Sequence, residues 1–276
     1  MKIALAIAPD DAGPSAFVVF RDRLEVSIAK AARLGYDKVE LALATASDVD
    51  QVAVRHLLAD NGIGLSAVST GRVFADARVW LTNPDPAIRG RAVDILTELV
   101  EVAAALGTTR INIGRVRGCI HEGETREVAE GRFFEGIAEV AARAALAGVN
   151  VLVEPVNRYE INYINSVSPD GIETLRRLNL PNVKLMPDVF HMNIEDASIA
   201  GSLEAAGPMV GYVHLADSNR WAPGQGHTDF GAIFGALAAI GYDDDVAVEI
   251  LPYPSPDEAA RQAIEYLRTL VPRETA

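Results

Sequence analysis

Short apolar runs rich in β-branched residues alternate with longer segments of helical periodicity from one end of the chain to the other. The strand-like runs are 2–8, 38–43, 64–69, 110–114, 150–154, 183–188, 211–215 and 246–250. Amphipathic segments separate them at 21–34, 52–60, 86–106, 126–147, 170–178, 233–240 and 256–270, with a weaker one at 199–206. Period-two and continuous apolar runs of this length read as strands, and the 3.6-residue pattern reads as helix. Gly35, Gly62, Gly107, Gly148 and Gly241 stand just before the next strand, where a left-handed residue closes a helix. Strands joined by helical crossovers pair in parallel. Eight such units predict a single (β/α)8 TIM barrel, an α/β fold, as one domain over 1–276. The competing architecture is an open doubly wound sheet. No G-x-G-x-x-G follows the first strand, which weakens that reading without removing it.

Composition narrows the setting. Hydrophobic residues make up 49% and charged residues 23% of the 276, the balance of a protein with a sizeable core. No stretch reaches the ~20 apolar residues of a membrane span. The apolar start carries one lysine and runs at once into Asp10 and Asp11, so it reads as a first strand rather than a signal peptide. A single cysteine, Cys119, excludes an internal disulfide framework and points to the cytoplasm. The formal charge of −13 argues against nucleic acid as the main partner, because phosphate binding calls for a basic face.

The polar residues that interrupt the strands carry the chemistry. Glu154 ends Val151-Leu152-Val153, and Asp188 ends Val183-Lys184-Leu185-Met186-Pro187. His214 sits within Tyr212-Val213-His214-Leu215, and Glu249 within Val246-Ala247-Val248-Glu249-Ile250. A charged group in a buried strand costs several kcal/mol unless it is paired or bound to metal. Any one of these alone reads more readily as a cap or an ion-pair partner. Four on consecutive strands, converging at one end of a barrel, point instead to one divalent ion: Mn²⁺, Co²⁺, Mg²⁺ or Zn²⁺. Segments 115–125 and 218–229 follow strands and are candidate substrate-covering loops. Trp221 either covers the pocket or packs its loop. Arg72, Arg115, Arg117 and His227 keep two readings each, pocket groups or ordinary surface and ion-pair partners; the three arginines could meet a carboxylate or phosphate on a substrate.

The pieces Glu154-Pro155-Val156-Asn157-Arg158-Tyr159-Glu160, Asp188-Val189-Phe190-His191-Met192-Asn193-Ile194-Glu195, His214-Leu215-Ala216-Asp217-Ser218-Asn219-Arg220 and the strand-borne Glu249 resemble the xylose-isomerase-like sugar isomerase/epimerase barrels. The resemblance is strongest to ketose 3-epimerases of the D-tagatose and D-psicose type. It implies that Glu154, Asp188, His214 and Glu249 hold Mn²⁺ or a similar ion, and that Glu154 and Glu249 exchange protons on opposite faces of the sugar. It also implies that Glu160, His191 and Arg220 bind a small sugar, that C3 inverts through a cis-enediolate, and that the enzyme assembles as a homodimer or homotetramer. The same equipment suits an aldose–ketose or hydroxypyruvate isomerase or an inosose dehydratase. A more distant reading is an endonuclease IV-like DNA repair nuclease, whose three-zinc site needs histidines at early strand ends; this chain has five histidines, and Ser69 and Asn112 stand at those positions.

Overall fold

The computed structural model describes residues 1–13 and 17–271. Its eight strands are β1 (Ile3–Ile7), β2 (Lys38–Ala42), β3 (Gly64–Ser69), β4 (Arg110–Ile113), β5 (Asn150–Val153), β6 (Val183–Leu185), β7 (Val213–Leu215) and β8 (Val246–Val248). Every pairing is parallel, in the order β6-β5-β4-β3-β2-β1-β8-β7. Parallel bridges Leu185↔Val210 and Asp188↔His214 close the remaining seam. The expected (β/α)8 TIM barrel is the architecture found.

The helices are α1 (Leu24–Leu34), α2 (Gln51–Asp60), α3 (Pro86–Leu106), α4 (Arg126–Leu146), α5 (Ile172–Leu178), α6 (Val189–Glu195), α7 (Ile199–Ala206), α8 (Phe230–Ala239) and α9 (Pro256–Leu270). Their starts are locally encoded: Asp85 and Ser255 accept hydrogen bonds from first-turn N–H groups just ahead of Pro86 and Pro256. Gly35 and Gly107 close α1 and α3 at φ 95° and 83°, a region that side-chain-bearing residues enter at a cost.

Two packing layers set the stage for the site. The helices cover the outer face of the strands, so β1 is buried at all five positions and lacks polar alternation. Inside the barrel, Ala4, Ala67, Leu152, Met186, Tyr212 and Ala247 form a plug of small and large side chains. Above it the interior narrows to alanines at 6, 8 and 42 with Val18, leaving room at the C-terminal mouth.

Two expectations shift. Strands β6 and β8 are shorter than the apolar runs, so Asp188 and Glu249 stand just beyond them. Pro187 has no N–H to continue a ladder, and Asp188 becomes the N-cap of α6, accepting from the Phe190 N–H at 2.8 Å. Helix α6 itself lay unrecognised in the sequence, seven residues being too short for periodicity to register.

Candidate metal centre and active site

Backbone register brings the four interrupting residues together. The Glu154 N–H donates to the Ile113 carbonyl, that of His214 to Pro187, and that of Glu249 to Leu215, at 3.2, 2.9 and 3.3 Å. One ligand atom each from Glu154, Asp188, His214 and Glu249 then lies within 4.8 Å of the other three. His214 Nδ1 is 4.0 Å from Glu154 Oε1 and 3.8 Å from Glu249 Oε2. Both His214 Nδ1 and Asp188 Oδ2 are buried without a hydrogen-bond partner. Buried polar atoms are rarely left so. Two orphaned atoms facing one centre, within a set of three carboxylates and an imidazole, fit a divalent cation.

The electrostatics agree. Burial, with repulsion from Glu249, pushes the Glu154 carboxyl up to about 8, and burial pushes Asp188 up to about 6. Burial likewise opposes charge on Glu249, but His214 and Arg220 outweigh it and hold its carboxyl below the usual range. Burial also opposes charge on His214, yet Glu40, Glu249 and Glu154 outweigh it and raise the imidazole well above its usual range. Such crowded acids at strand ends are poised for a cation.

Glycine makes the approach feasible. A Cβ on Gly114 would stand 2.3 Å from Glu154 Oε2, so the carboxylate rests directly on the backbone of that turn. From beneath, Arg117 anchors the same turn. Its side chain is wholly buried and donates to the carbonyls of Gly114, Glu154, Tyr163 and Ile164 at 2.6–2.9 Å. Arg117 is thus a brace for the end of β5. Arg72 is likewise committed, to Asp11, Asp48 and Asp76 at 3.2, 3.0 and 2.8 Å, although it edges the cavity.

Above the four residues opens a cleft at the C-terminal mouth of the barrel. Glu160, His191 and Arg220 all line it. His191 stands on α6 three residues after Asp188, so its Nε2 falls 3.6 Å from Asp188 Oδ2. The Asn157 amide donates to His191 Nδ1 at 2.8 Å, which leaves the proton on Nε2, facing the site. Burial, then Arg220, pushes this imidazole well below its usual range and keeps it neutral.

Arg220 crosses the cleft. It donates to Glu249 Oε2 at 2.6 Å and to Glu160 Oε1 at 3.3 Å. Its guanidinium lies 4.1 and 4.7 Å from the ring centres of Phe17 and Phe190. The backbone there is left-handed, φ 60°, in a turn where its N–H donates to the Asp217 carbonyl. That conformation costs roughly 1–2 kcal/mol outside glycine. Buried Asp217 holds the turn by accepting from Ser218, Gly224 and Thr228 at 2.7, 2.8 and 3.1 Å.

Segment 218–229 contributes less to the cleft than expected. Trp221 stacks on Tyr253 with ring centres 4.2 Å apart, and His227 Nδ1 meets the Ser218 hydroxyl at 2.9 Å; neither lines the cavity. Phe17, on the segment after β1, covers the cleft instead. Nothing in the local pattern around Phe17 signals this.

Glu40 is the other residue the sequence reading passed over. Its carboxylate, 1% exposed on β2, contacts His214 Nε2 at 3.0 Å. The rule that exposed Glu154 and Glu249, an acid inside a β-branched run, applies equally to Val39-Glu40-Leu41. It stood apart from the consecutive set on β5 to β8.

The fold and this site define an α/β-barrel with a cluster of three acids and an imidazole at its C-terminal mouth that could hold a cation. Residues 28–270 match the xylose isomerase-like TIM barrel family, and the chain belongs to it. It is 34% identical over 231 residues to the L-ribulose 3-epimerase of Mesorhizobium japonicum, covering 83% of this chain and 76% of that one. It is 32% identical over 233 residues to the D-psicose 3-epimerase of Ruminiclostridium cellulolyticum, covering 80% and 76%. Among solved structures, D-psicose 3-epimerase with D-tagatose from Clostridium cellulolyticum H10 superposes with a TM-score of 0.83 at 27% identity, covering 98% and 99%.

Proposed function

We propose that the protein is a metal-dependent epimerase of a ketose or related keto-sugar, inverting C3 by proton exchange. The observation that carries this is the pair Glu154 and Glu249, both lining the cleft and both within the four-residue cation cluster. Relatives at 32–34% identity that act as ketose 3-epimerases support the same reading. The ion is Mn²⁺ in this proposal, the compartment the cytoplasm, the assembly a homodimer or homotetramer, and the domain a single one.

A divalent ion held by Glu154, Asp188, His214 and Glu249 supplies Lewis acidity, lowering the pKa of the carbon acid beside the carbonyl. The chain's own residues do the rest. One glutamate takes the C3 proton, its C–H electron pair passing into the carbonyl system as an enediolate. The other glutamate, protonated at the start, delivers its proton to the opposite face; the first then loses its proton to solvent and the second regains one, which restores the resting state. Arg220, stacked between two rings and tied to Glu160, is placed to hold a sugar oxygen. The Nε2–H of neutral His191 is placed to donate to another.

The test is conversion of D-psicose, D-tagatose and L-ribulose in D₂O after chelation and again after Mn²⁺ is restored. Activity that depends on the ion, with deuterium at the inverted carbon, is the expected result. Full activity in chelated, metal-free protein, or unexchanged hydrogen, sinks the reading.

One observation favours a second substrate class on the same chemistry. Arg115 follows β4 at the rim of the cleft, its guanidinium 5.5 Å from the Phe17 ring centre, and its charge reaches Glu249 and His191. A keto-sugar ending in a carboxylate complements it, so keto-acid sugars belong in the same screen. Arg115→Ala would then raise KM for the acid by a larger factor than for the neutral ketose.

A further inference from the structure

We propose that Glu40 is a positioning residue for the cation site, fixing His214 so that Nδ1 presents its lone pair to the ion. The inference rests on the cation reading of the cluster, and not on the identity of the substrate.

The three carboxylates around the His214 ring act on different nitrogens. Glu40 Oε2 stands 3.0 Å from Nε2, within hydrogen-bond range. Glu154 and Glu249 stand 4.0 and 3.8 Å from Nδ1, beyond that range, on the side where Asp188 Oδ2 is also unpartnered. The ring is fully buried, with Tyr212 against it at 5.7 Å between ring centres. An imidazole with one N–H directed to a carboxylate offers its other nitrogen as an acceptor. A metal-bound histidine commonly donates its distal N–H to such a group, which fixes tautomer and ring orientation.

The position of Glu40 suits that task. It lies on β2, across the barrel from β7, so its side chain spans the interior instead of joining the four ligands. Glu40 pairs with Ala6 on β1 and, just past a register shift between Val39 and Glu40, with Ala67 on β3, and the small partners leave room for the carboxylate to cross. Its other oxygen, Oε1, has no hydrogen-bond partner. A buried acid kept at the cost of an unsatisfied oxygen calls for a compensating role; its influence also reaches Tyr212, and its 3.0 Å contact with His214 Nε2 supplies such a role.

Titration of the protein with Mn²⁺ alone, following the free ion by EPR, tests this across wild type, Glu40→Gln, Glu40→Asp, Glu40→Ala and the same alanine change in His214→Ala. Glu40→Gln keeps an acceptor within reach and is expected to stay within about threefold of wild-type affinity. Glu40→Asp and Glu40→Ala withdraw the acceptor and are expected to weaken Mn²⁺ binding roughly 10–100-fold. In the His214→Ala background the alanine change should add less than about twofold. ¹⁵N spectra of His214 in protein loaded with diamagnetic Mg²⁺ should report an Nε2–H tautomer in wild type and Glu40→Gln only. Should Glu40→Ala fail to fold, the order of the Gln and Asp variants still decides. An affinity kept by Asp and lost by Gln would mean that charge, not position, matters, and would overturn the proposal. So would unchanged affinity in Asp and Ala, or an undiminished effect without His214. Absence of Mn²⁺ binding by wild type would overturn the cation reading itself, a separate outcome.

Discussion

Glu249 carries the most exposed prediction at the residue scale. Glu249→Gln keeps the shape of the side chain and its contact with Arg220, but it cannot cycle a proton. With Mn²⁺ occupancy matched by elemental analysis, kcat/KM is expected to fall by ~10² or more, the usual scale of general acid–base catalysis. Near-normal turnover in the metal-loaded variant would refute the two-glutamate mechanism. Gly114→Ala probes the opposite wall. Its methyl group would stand 2.3 Å from Glu154 Oε2, so the end of that side chain must shift from its place beside the cluster. We expect a tenfold or greater loss of Mn²⁺ affinity by titration, on the order of 1.4 kcal/mol, while far-UV circular dichroism is unchanged. Retained affinity would show that the ion does not depend on the present placement of Glu154 against Gly114.

At the scale of elements, loops after the strands set what the barrel ends can do, and Asp217 governs one of them. Burial raises its carboxyl, but N–H donors from Ser218, Thr228 and Gly226 outweigh this and hold it below the usual range. A depressed folded pKa contributes stability at neutral pH that is lost as pH falls through that pKa. Asp217→Asn turns one acceptor into an amide facing the Gly224 N–H. The expected cost is roughly 1–3 kcal/mol for an unsatisfied buried group. Arg220, left-handed within the same turn, would then lose its aim, so KM should rise with Mn²⁺ affinity unchanged. Wild-type KM together with a normal denaturation midpoint would show that the turn holds without Asp217.

For the whole molecule, the two ends of the barrel have different duties. At the N-terminal end Arg110, nearly buried, pairs with Asp244 and with Asp245 at 2.9 Å and also donates to the Ser66 carbonyl. Arg110→Ala leaves buried Asp245 paired with Lys38 alone, at 2.5 Å, and is expected to cost roughly 1–3 kcal/mol of stability, measured by denaturation, with Mn²⁺ affinity retained. Equal losses in both would contradict the division. At the C-terminal end, stability depends on pH through the cation. Without it, Glu154 has a folded pKa of about 8 against an ordinary 4.5, so the folded state holds the extra proton. That stability is fully present below pH 4.5 and is lost as pH rises through 8. Mn²⁺ displaces these protons, so its affinity should climb across pH 6–8 as Asp188 and Glu154 ionise, and further above it because His214 must also give up a proton to bind. Saturation at ~100 times Kd adds about 2.7 kcal/mol, or a Tm gain of roughly 5–10 °C for a chain of this size. A pH-independent gain would mean the ion does not compete with these protons.

Local signals sufficed for much of this protein. Continuous apolar runs, capping residues and helix-closing glycines are encoded within a few residues of where they act, and so the eight strands and most helices were legible. Four polar residues at successive strand ends were legible too, because burial penalises such groups wherever a strand is covered on both faces. Contacts between segments distant in sequence were not. The 174 residues between Glu40 and His214, and the approach of Phe17 over Arg220, depend on how strands stack around a closed barrel. Whether Arg72 and Arg117 serve a ligand or the fold was open in the sequence for the same reason. A guanidinium's role is set by the acids and carbonyls that close-packed loops bring within 3 Å of it, and only tertiary structure chooses those partners.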